Sequence, residues 1–365
     1  MAIITSLSSK DALPYFKRMV AEAWSDVQGV PNFLRSLTTP KTTTARDVSI
    51  EVERNLRKVA TEVIRGGSPN IHRSDKSTEK MYTPPYFSDA VVINELDAYQ
   101  RVFGDGVGTV SRNDIRELAS KIVAGMTNIK MMQERAIEKQ ISDCLNTGVV
   151  STLDGGIDFK RKDESLITNT GGDLWTDPTA DALGQLKADA EFIATQGNSG
   201  SARFNVIMGS KAHLNFMNNT KLKDEADFRY IKLVDLGMPQ IQANGATLHG
   251  MVSSGAYQFF IWTYPAFYDL GTKTGNLKDT ASFIPSEKYI MLSEDVVIRN
   301  WKAGVPTVFG DNRPMLGTRP VFNDGWSVHE AVSQERQTHK AIVRVAPLVV
   351  PYSVDRIVTR KVVAS

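Results

Sequence analysis

A single cysteine, Cys144, stands among 365 residues. No intrachain disulfide is possible and no cysteine-rich zinc site can be built, which suits a reducing compartment. An excess of one charge is also missing: 43 Lys plus Arg face 41 Asp plus Glu, a formal net +2. A chain whose main task is gripping phosphate backbones carries a clear basic excess, so nucleic-acid binding as the primary activity is disfavoured. Long hydrophobic runs are absent too. The most apolar stretch, Tyr257 to Tyr268, is broken by Gln258 and Pro265. It falls short of the roughly 20 residues that span a bilayer. The N-terminal residues hold Lys10 and Asp11 and no apolar core of signal length. The expectation is a soluble chain made in the cytoplasm and not exported by a signal.

Catalytic and ligand-binding patterns are equally scarce. Gly104, Gly106 and Gly108 suggest a phosphate cradle, but Ser111 stands where the dinucleotide fingerprint needs its third glycine. No Gly-Lys-Ser/Thr and no Gly-x-Ser-x-Gly occurs. The histidines His72, His213, His249, His329 and His339 form no pair at metal-ligand spacing. His329 adjoins Glu330, yet neighbours in a strand point to opposite faces. Cys144 reads as a packing residue near the end of a helix. The sequence therefore gives no catalytic, cofactor or metal site, and the expectation is a non-enzyme.

What is present is an ordinary globular composition, 41% hydrophobic and 23% charged, long enough for two or three folding units. Residues 1–47 read as an arm: Ala12, Leu13, Phe16, Met19 and Val20 hint at a short amphipathic helix. Pro31, Phe33-Leu34-Arg35 and a Thr-rich stretch follow. Such a segment buries little apolar surface alone. Val48-Ser49-Ile50-Glu51-Val52-Glu53 alternates as a half-exposed strand does. Residues 54–80 carry Arg54, Arg57, Lys58, Arg65, Arg73, Lys76 and Lys80 against three acids, a net +4. A loop this long inside a compact domain is usually functional, and we read it as a projecting loop that contacts a partner through those seven cations. Asp89, Glu95, Asp97, Asp105 and Asp114 lie in a relatively acidic stretch that is their expected receiver.

The strongest local signal is a helix over 112–146. Ser111 fits its N-cap and Gly148 its stop. Ile115, Leu118, Ile122, Met126, Ile129, Met132, Ala136, Ile141 and Leu145 form its apolar stripe. At 1.5 Å per residue it is about 50 Å long, close to the diameter of a compact subunit of this size. Asp177-Pro178 reads as the start of a helix running to about Thr195. Short strands are expected at Phe204–Met208, Thr247–Val252, Gln258–Thr263 and Tyr289–Leu292, with helical pieces near Lys211–Asn218 and Glu225–Leu236. Two strands, 341–345 and 357–363, close the chain, with Pro347 and Pro351 between them. Trp175, after a glycine-rich turn, reads as the anchor of a loop.

Four blocks in order carry a resemblance: Pro31-Asn32-Phe33-Leu34-Arg35 before the Val48–Val52 strand; Ile64-Arg65-Gly66-Gly67-Ser68 with Tyr82-Thr83-Pro84; Ile167-Thr168-Asn169-Thr170-Gly171-Gly172-Asp173-Leu174-Trp175; and Ala346-Pro347-Leu348. With them the chain resembles the lambda-type phage major capsid proteins, the capsid protein E family. The resemblance implies the α+β HK97-like capsid fold: an N-terminal arm (1–47), an extended loop with flanking strands (48–92), and a peripheral domain (93–165) with its spine helix at 112–146. An axial domain (166–335) and C-terminal strands completing the peripheral domain (336–365) follow. It further implies self-assembly into hexamers and pentamers of an icosahedral phage head enclosing double-stranded DNA. Such a head is assembled in the bacterial cytoplasm.

With the spine helix near residue 112, the resemblance leads to the expectation that no scaffolding region is fused to the chain. The implied partners are thus a separate scaffolding protein, a portal protein, a trimeric decoration protein, and packaged DNA by weak non-specific contact, with no membrane. Lys76 and Lys80 lie on the loop that crosslinks covalently in another branch of the fold, without a matching motif around them. An encapsulin-like compartment shell is the alternative. A tail-tube or baseplate protein and an α+β enzyme are remote ones.

Overall fold

The computed structural model describes residues 30–52, 78–93, 112–152, 155–223, 234–235, 239–270, 280–310, 313–318, 325–333 and 338–364. In chain order, α1 (Phe33–Ser36) leads into β1 (Thr39–Thr42), β2 (Val48–Val52), β3 (Thr78–Tyr82) and β4 (Phe87–Ile93). The long α2 (Arg112–Thr147) precedes β5 (Val149–Val150), β6 (Ile157–Asp158) and β7 (Leu166–Thr168). Next come α3 (Ala182–Gln196), β8 (Arg203–Met208), α4 (Ser210–Asn218), β9 (Val234–Asp235) and β10 (Gln240–Ile241). They are followed by β11 (Thr247–Ser254), β12 (Tyr257–Thr263), β13 (Phe267–Asp269), β14 (Thr280–Ser282) and β15 (Lys288–Ser293). The last elements are β16 (Ile298–Ala303), β17 (Pro306–Gly310), β18 (Arg313–Thr318), β19 (Ser327–Ser333), β20 (Thr338–Pro351) and β21 (Ile357–Lys361).

Two sheets organise these pieces. The first has five strands in the order β1-β16-β20-β19, with β4 also on β20. The second has eight, β10-β11-β12-β8-β15-β21-β7, with β9 on β11. In β20 alternate residues serve two cores: Ala341, Val343, Val345 and Val349 join the cluster that includes α2, whereas Ala346, Leu348 and Val350 pack with Val48 and Ile50. A strand buried on both faces reads as a continuous apolar run. Strands β8 and β15 are divided the same way. Ile207, Ile290 and Leu292 join the α2 side, while Phe204, Val206, Tyr289 and Met291 pack with α3 and α4.

At 36 residues, α2 is about 54 Å long. Met126, Ile129, Ile137, Ile141, Cys144 and Leu145 are buried on it. Met132, expected in the apolar stripe, is 58% exposed instead. Gln133 takes the inward position, its Nε2 donating to Asp89 Oδ2 at 2.7 Å and to the Val343 carbonyl. Gly125 marks the closest approach of β4, since a Cβ there would lie 2.8 Å from a Val91 methyl.

Three expectations change. The helix after Asp177-Pro178 starts at Ala182, where Asp181 Oδ1 accepts from the Gly184 N–H at 2.9 Å. The Pro178 carbonyl is held by Thr220 and the Ala180 carbonyl by Asn219 Nδ2, so contacts from the end of α4 keep 177–180 a turn. Of the helical piece expected at Glu225–Leu236, the described Val234–Asp235 is strand, paired with Val252 and Met251. At the C-terminus, Pro347 and Pro351 lie inside β20, where β16 pairs along one side only, an arrangement that tolerates a missing N–H. The final strand β21 leaves the long-helix sheet and joins the eight-stranded one between β15 and β7. Of the two C-terminal strands, β20 lies in the five-stranded sheet and β21 in the eight-stranded one.

Candidate assembly surfaces

The N-terminal segment is rooted on its own subunit. Phe33 and Leu34 are buried against Trp262, Tyr264 and α2, and β1 runs parallel to β16 from Thr39–Arg299 to Thr42–Lys302. Glu138 of α2 fastens it. The Leu34 N–H donates to Glu138 Oε1 at 2.8 Å, the Arg35 N–H to Oε2 at 3.0 Å, and the Tyr264 hydroxyl to Oε1 at 2.9 Å. Arg35 also pairs with Glu134 at 3.3 Å. Glu138 is 1% exposed. Burial pushes its carboxyl above the usual range, against the hydrogen bonds from Tyr264, Leu34 and Arg35 and the Arg35 charge. The arm is legible in the sequence and Glu138 is not, because a lone acid on a helix carries no signal until the segment it holds, about 100 residues away, is placed against it.

Strands β2 and β3 form a two-stranded ribbon, Val48 opposite Tyr82 through Val52 opposite Thr78. The alternation expected from the sequence is present at its base: Val48 and Ile50 are buried, Ser49 exposed. Tyr82 packs on Phe159 with ring centroids 5.8 Å apart. Of the predicted contact residues, Lys80 is exposed on β3 opposite Ile50. Arg54, Arg57, Lys58, Arg65, Arg73 and Lys76 lie outside the described residues. So do Glu95, Asp97, Asp105 and the expected N-cap Ser111. Asp89, an expected receiver, already accepts from Gln133 within the chain.

The junction of α2 with the eight-stranded sheet rests on Arg161, a buried cation. Its Nη1 donates to the Leu145 carbonyl at 2.6 Å and Thr359 Oγ1 at 3.1 Å. Its Nη2 donates to the carbonyls of Ser165 and Ile357, at 3.1 and 2.9 Å. A cation is favoured at a helix C-terminus, where carbonyls lack partners. Desolvation still lowers its pKa to about 10. Cys144 beside it is fully buried, its thiol pushed up to about 12 chiefly by burial, as a packing residue requires.

The Ile167–Trp175 block is a braced turn. Trp175 is buried, stacked 5.1 Å from Tyr289, and its Nε1 donates to Gln185 Oε1 at 2.9 Å. Asn169 donates to the same oxygen at 2.8 Å and accepts from Arg360 Nη1 at 3.0 Å. Arg360 in turn pairs with the buried Asp189, which also accepts from the Tyr289 hydroxyl at 2.6 Å. Nearby, His213 and His249 come together from α4 and β11 with ring centroids 4.0 Å apart. Burial first, then His249, lowers His213 to about 4. Among the described residues no three His, Cys, Asp or Glu converge as metal ligands, and no helix is long and apolar enough to cross a membrane.

In sequence, the model of the phage major capsid protein E family matches residues 18–362. No curated protein matches the chain in sequence. Among solved structures it is similar to one described as the capsid protein of a prophage in E. coli CFT073, at 14% identity and a TM-score of 0.60, with 100% of both chains covered. It is also similar to a phage-related protein from Bordetella bronchiseptica RB50, at 9% identity and a TM-score of 0.50, covering 94% of this chain and 96% of that one.

Proposed function

We propose, from the premise that the chain belongs to the phage major capsid protein E family, that its copies join as hexamers and pentamers through the arm and the ribbon. It is a structural protein of the phage head, it has the α+β HK97-like capsid fold, and its place is the virion. The observation that carries this reading is the family match across nearly the whole chain, residues 18–362.

In this reading residues 1–47 are the N-terminal arm and 48–92 the extended loop. The long helix with the five-stranded sheet is the peripheral domain, and the eight-stranded sheet with α3 and α4 forms the axial one. The rooted segment at 30–43 and the anchored ribbon give the arm and the loop fixed points of departure. The loop's basic residues then lie over a neighbouring copy. Each exposed ion pair contributes only about 0–1 kcal/mol, but a closed shell repeats the contact at every interface and multivalency supplies the rest. A net charge of +2 limits repulsion between many packed copies. A separate scaffolding protein, a portal protein, a trimeric decoration protein and weakly held DNA are the partners this reading calls for, and it assigns the chain no chemical step.

Negative-stain microscopy with sedimentation, on the chain expressed alone and beside its scaffolding protein, tests the reading. Closed shells or hexameric and pentameric rings are the expected result. A monomer under both conditions overturns it.

A further inference from the structure

One side of helix α2 is left open by the described residues. Lys121, Ala124, Asn128, Met132 and Arg135 are exposed on it. They recur at three- and four-residue steps, a stripe turned away from the buried Met126, Ile129, Ile137 and Ile141. The charge of this stripe has one sign. The acids among the described side chains of α2 are all committed within the chain: Glu134 pairs with Arg35, Glu138 is buried under the N-terminal segment, and Asp143 pairs with Lys139. Lys121 and Arg135 have no ion-pair or hydrogen-bond partner among the described residues. Asn128 stands midway, seven residues from each, so a cation, an amide and a cation follow one another about 10 Å apart along the helix. The opposite face of the five-stranded sheet is where Val48 and Ile50, at the base of the ribbon, pack on Ala346, Leu348 and Val350. The ribbon and α2 therefore lie on opposite sides of that sheet.

We propose that this stripe is the surface the shell turns toward packaged double-stranded DNA, with Lys121 and Arg135 on phosphate oxygens and Asn128 between them. The proposal rests on the shell reading, with DNA as the enclosed partner, and adds which face meets it. Charge argues for the occupant. A duplex carries one negative charge per about 1.7 Å of its axis, and a helix face with two cations and no uncommitted carboxylate meets it without repulsion. Arg, Lys and Asn are all side chains that contact phosphate without reading sequence. A protein neighbour suits the stripe less well. Protein interfaces are depleted in Lys and have an apolar centre, whereas Met132 is the one large apolar side chain here. The contact is sparse. Two phosphates neutralised per copy give a slope of about −2 for log affinity against log salt, a weak hold that many copies repeat. Sparse contacts of this kind need no basic excess, in keeping with a net charge of +2.

Lysine acetylation read by mass spectrometry, on filled heads and on the same heads emptied of DNA, tests the assignment. Lys121 should react about threefold or more slowly in the filled heads. Lys80 on the ribbon and Lys160, both exposed, should react alike in the two. An arginine-selective dicarbonyl should show the same protection at Arg135, and raising the salt should restore the reactivity of both groups. Equal reactivity of Lys121 in filled and emptied heads overturns the proposal, and protection at a different lysine then moves the DNA contact to another face. Protection of Lys121 in DNA-free particles that still hold scaffolding protein, with none in filled heads, overturns it too and makes the stripe a protein-docking face. If the chain makes no particles, the shell reading itself fails, an outcome distinct from filled heads in which Lys121 stays reactive.

Discussion

Both carboxylate oxygens of Glu138 are occupied by donors from segments distant in sequence: Leu34 and Arg35 on one side, Tyr264 on the other. Removing it strands two backbone N–H groups and a hydroxyl, each costing about 1–3 kcal/mol when buried. Glu138→Ala should lower stability by at least about 3 kcal/mol, and limited proteolysis should cut first near residues 30–44. Cleavage at the wild-type rate, with an unchanged melting temperature, is the contrary result. The charge has its own signature. Because burial raises the Glu138 carboxyl above its ordinary range, the proton-linked stability is full below the unfolded-chain pKa and is lost as pH climbs through the folded one. The stability of wild type relative to Glu138→Gln should thus fall as pH rises from mild acid toward neutrality, measured by denaturant unfolding at each pH.

Helix α2 ends where three requirements coincide. Gly148 takes φ +75°, a left-handed turn that favours glycine. The aliphatic part of Arg161 lies against it, at 2.7 Å from where a Cβ would stand. The same arginine satisfies carbonyls of α2, β21 and the turn before β7, so it locks the helix end to the eight-stranded sheet. Arg161→Met keeps much of the volume and removes the donors. Several buried carbonyls then lose a charged partner, and the loss should be about 3–5 kcal/mol, seen in chemical denaturation. Hydrogen exchange should rise at β21 and at the end of α2 before it rises elsewhere. A uniform rise, or none, speaks against a local lock.

For the whole molecule the question is what joins one copy to the next. The +4 segment at 54–80 sits in a chain of net +2, so the remainder is slightly acidic and available to pair with it. Reversing Arg65, Arg73 and Lys76 together should block particle formation while circular dichroism and melting of the subunit stay unchanged, because Val48, Ile50 and Tyr82 anchor the base of the ribbon in the core. Normal particles from that triple variant would remove the loop from the assembly mechanism. High salt should weaken assembly in the same direction, since exposed pairs are screened within about 10 Å at 0.1 M.

Periodicity exposes the long helix and the alternating Val48–Val52 strand, and near-continuous apolar runs expose the central strands near 204–208, 258–263 and 289–292, because a strand buried on both faces carries apolar residues without alternation. Trp175 and Cys144 were legible as packing residues for a similar reason: their neighbours are apolar or turn-forming. Helix starts such as 177 against 182 were not, since both sites satisfy local capping rules and contacts from Asn219 and Thr220 break the tie. Nor were the clamp at Glu138, the lock at Arg161 or the meeting of His213 with His249. Each joins groups tens to hundreds of residues apart, and a polar side chain in a sequence does not say whether water or a distant carbonyl will satisfy it. Burial makes that choice, and burial exists only once the chain has closed on itself.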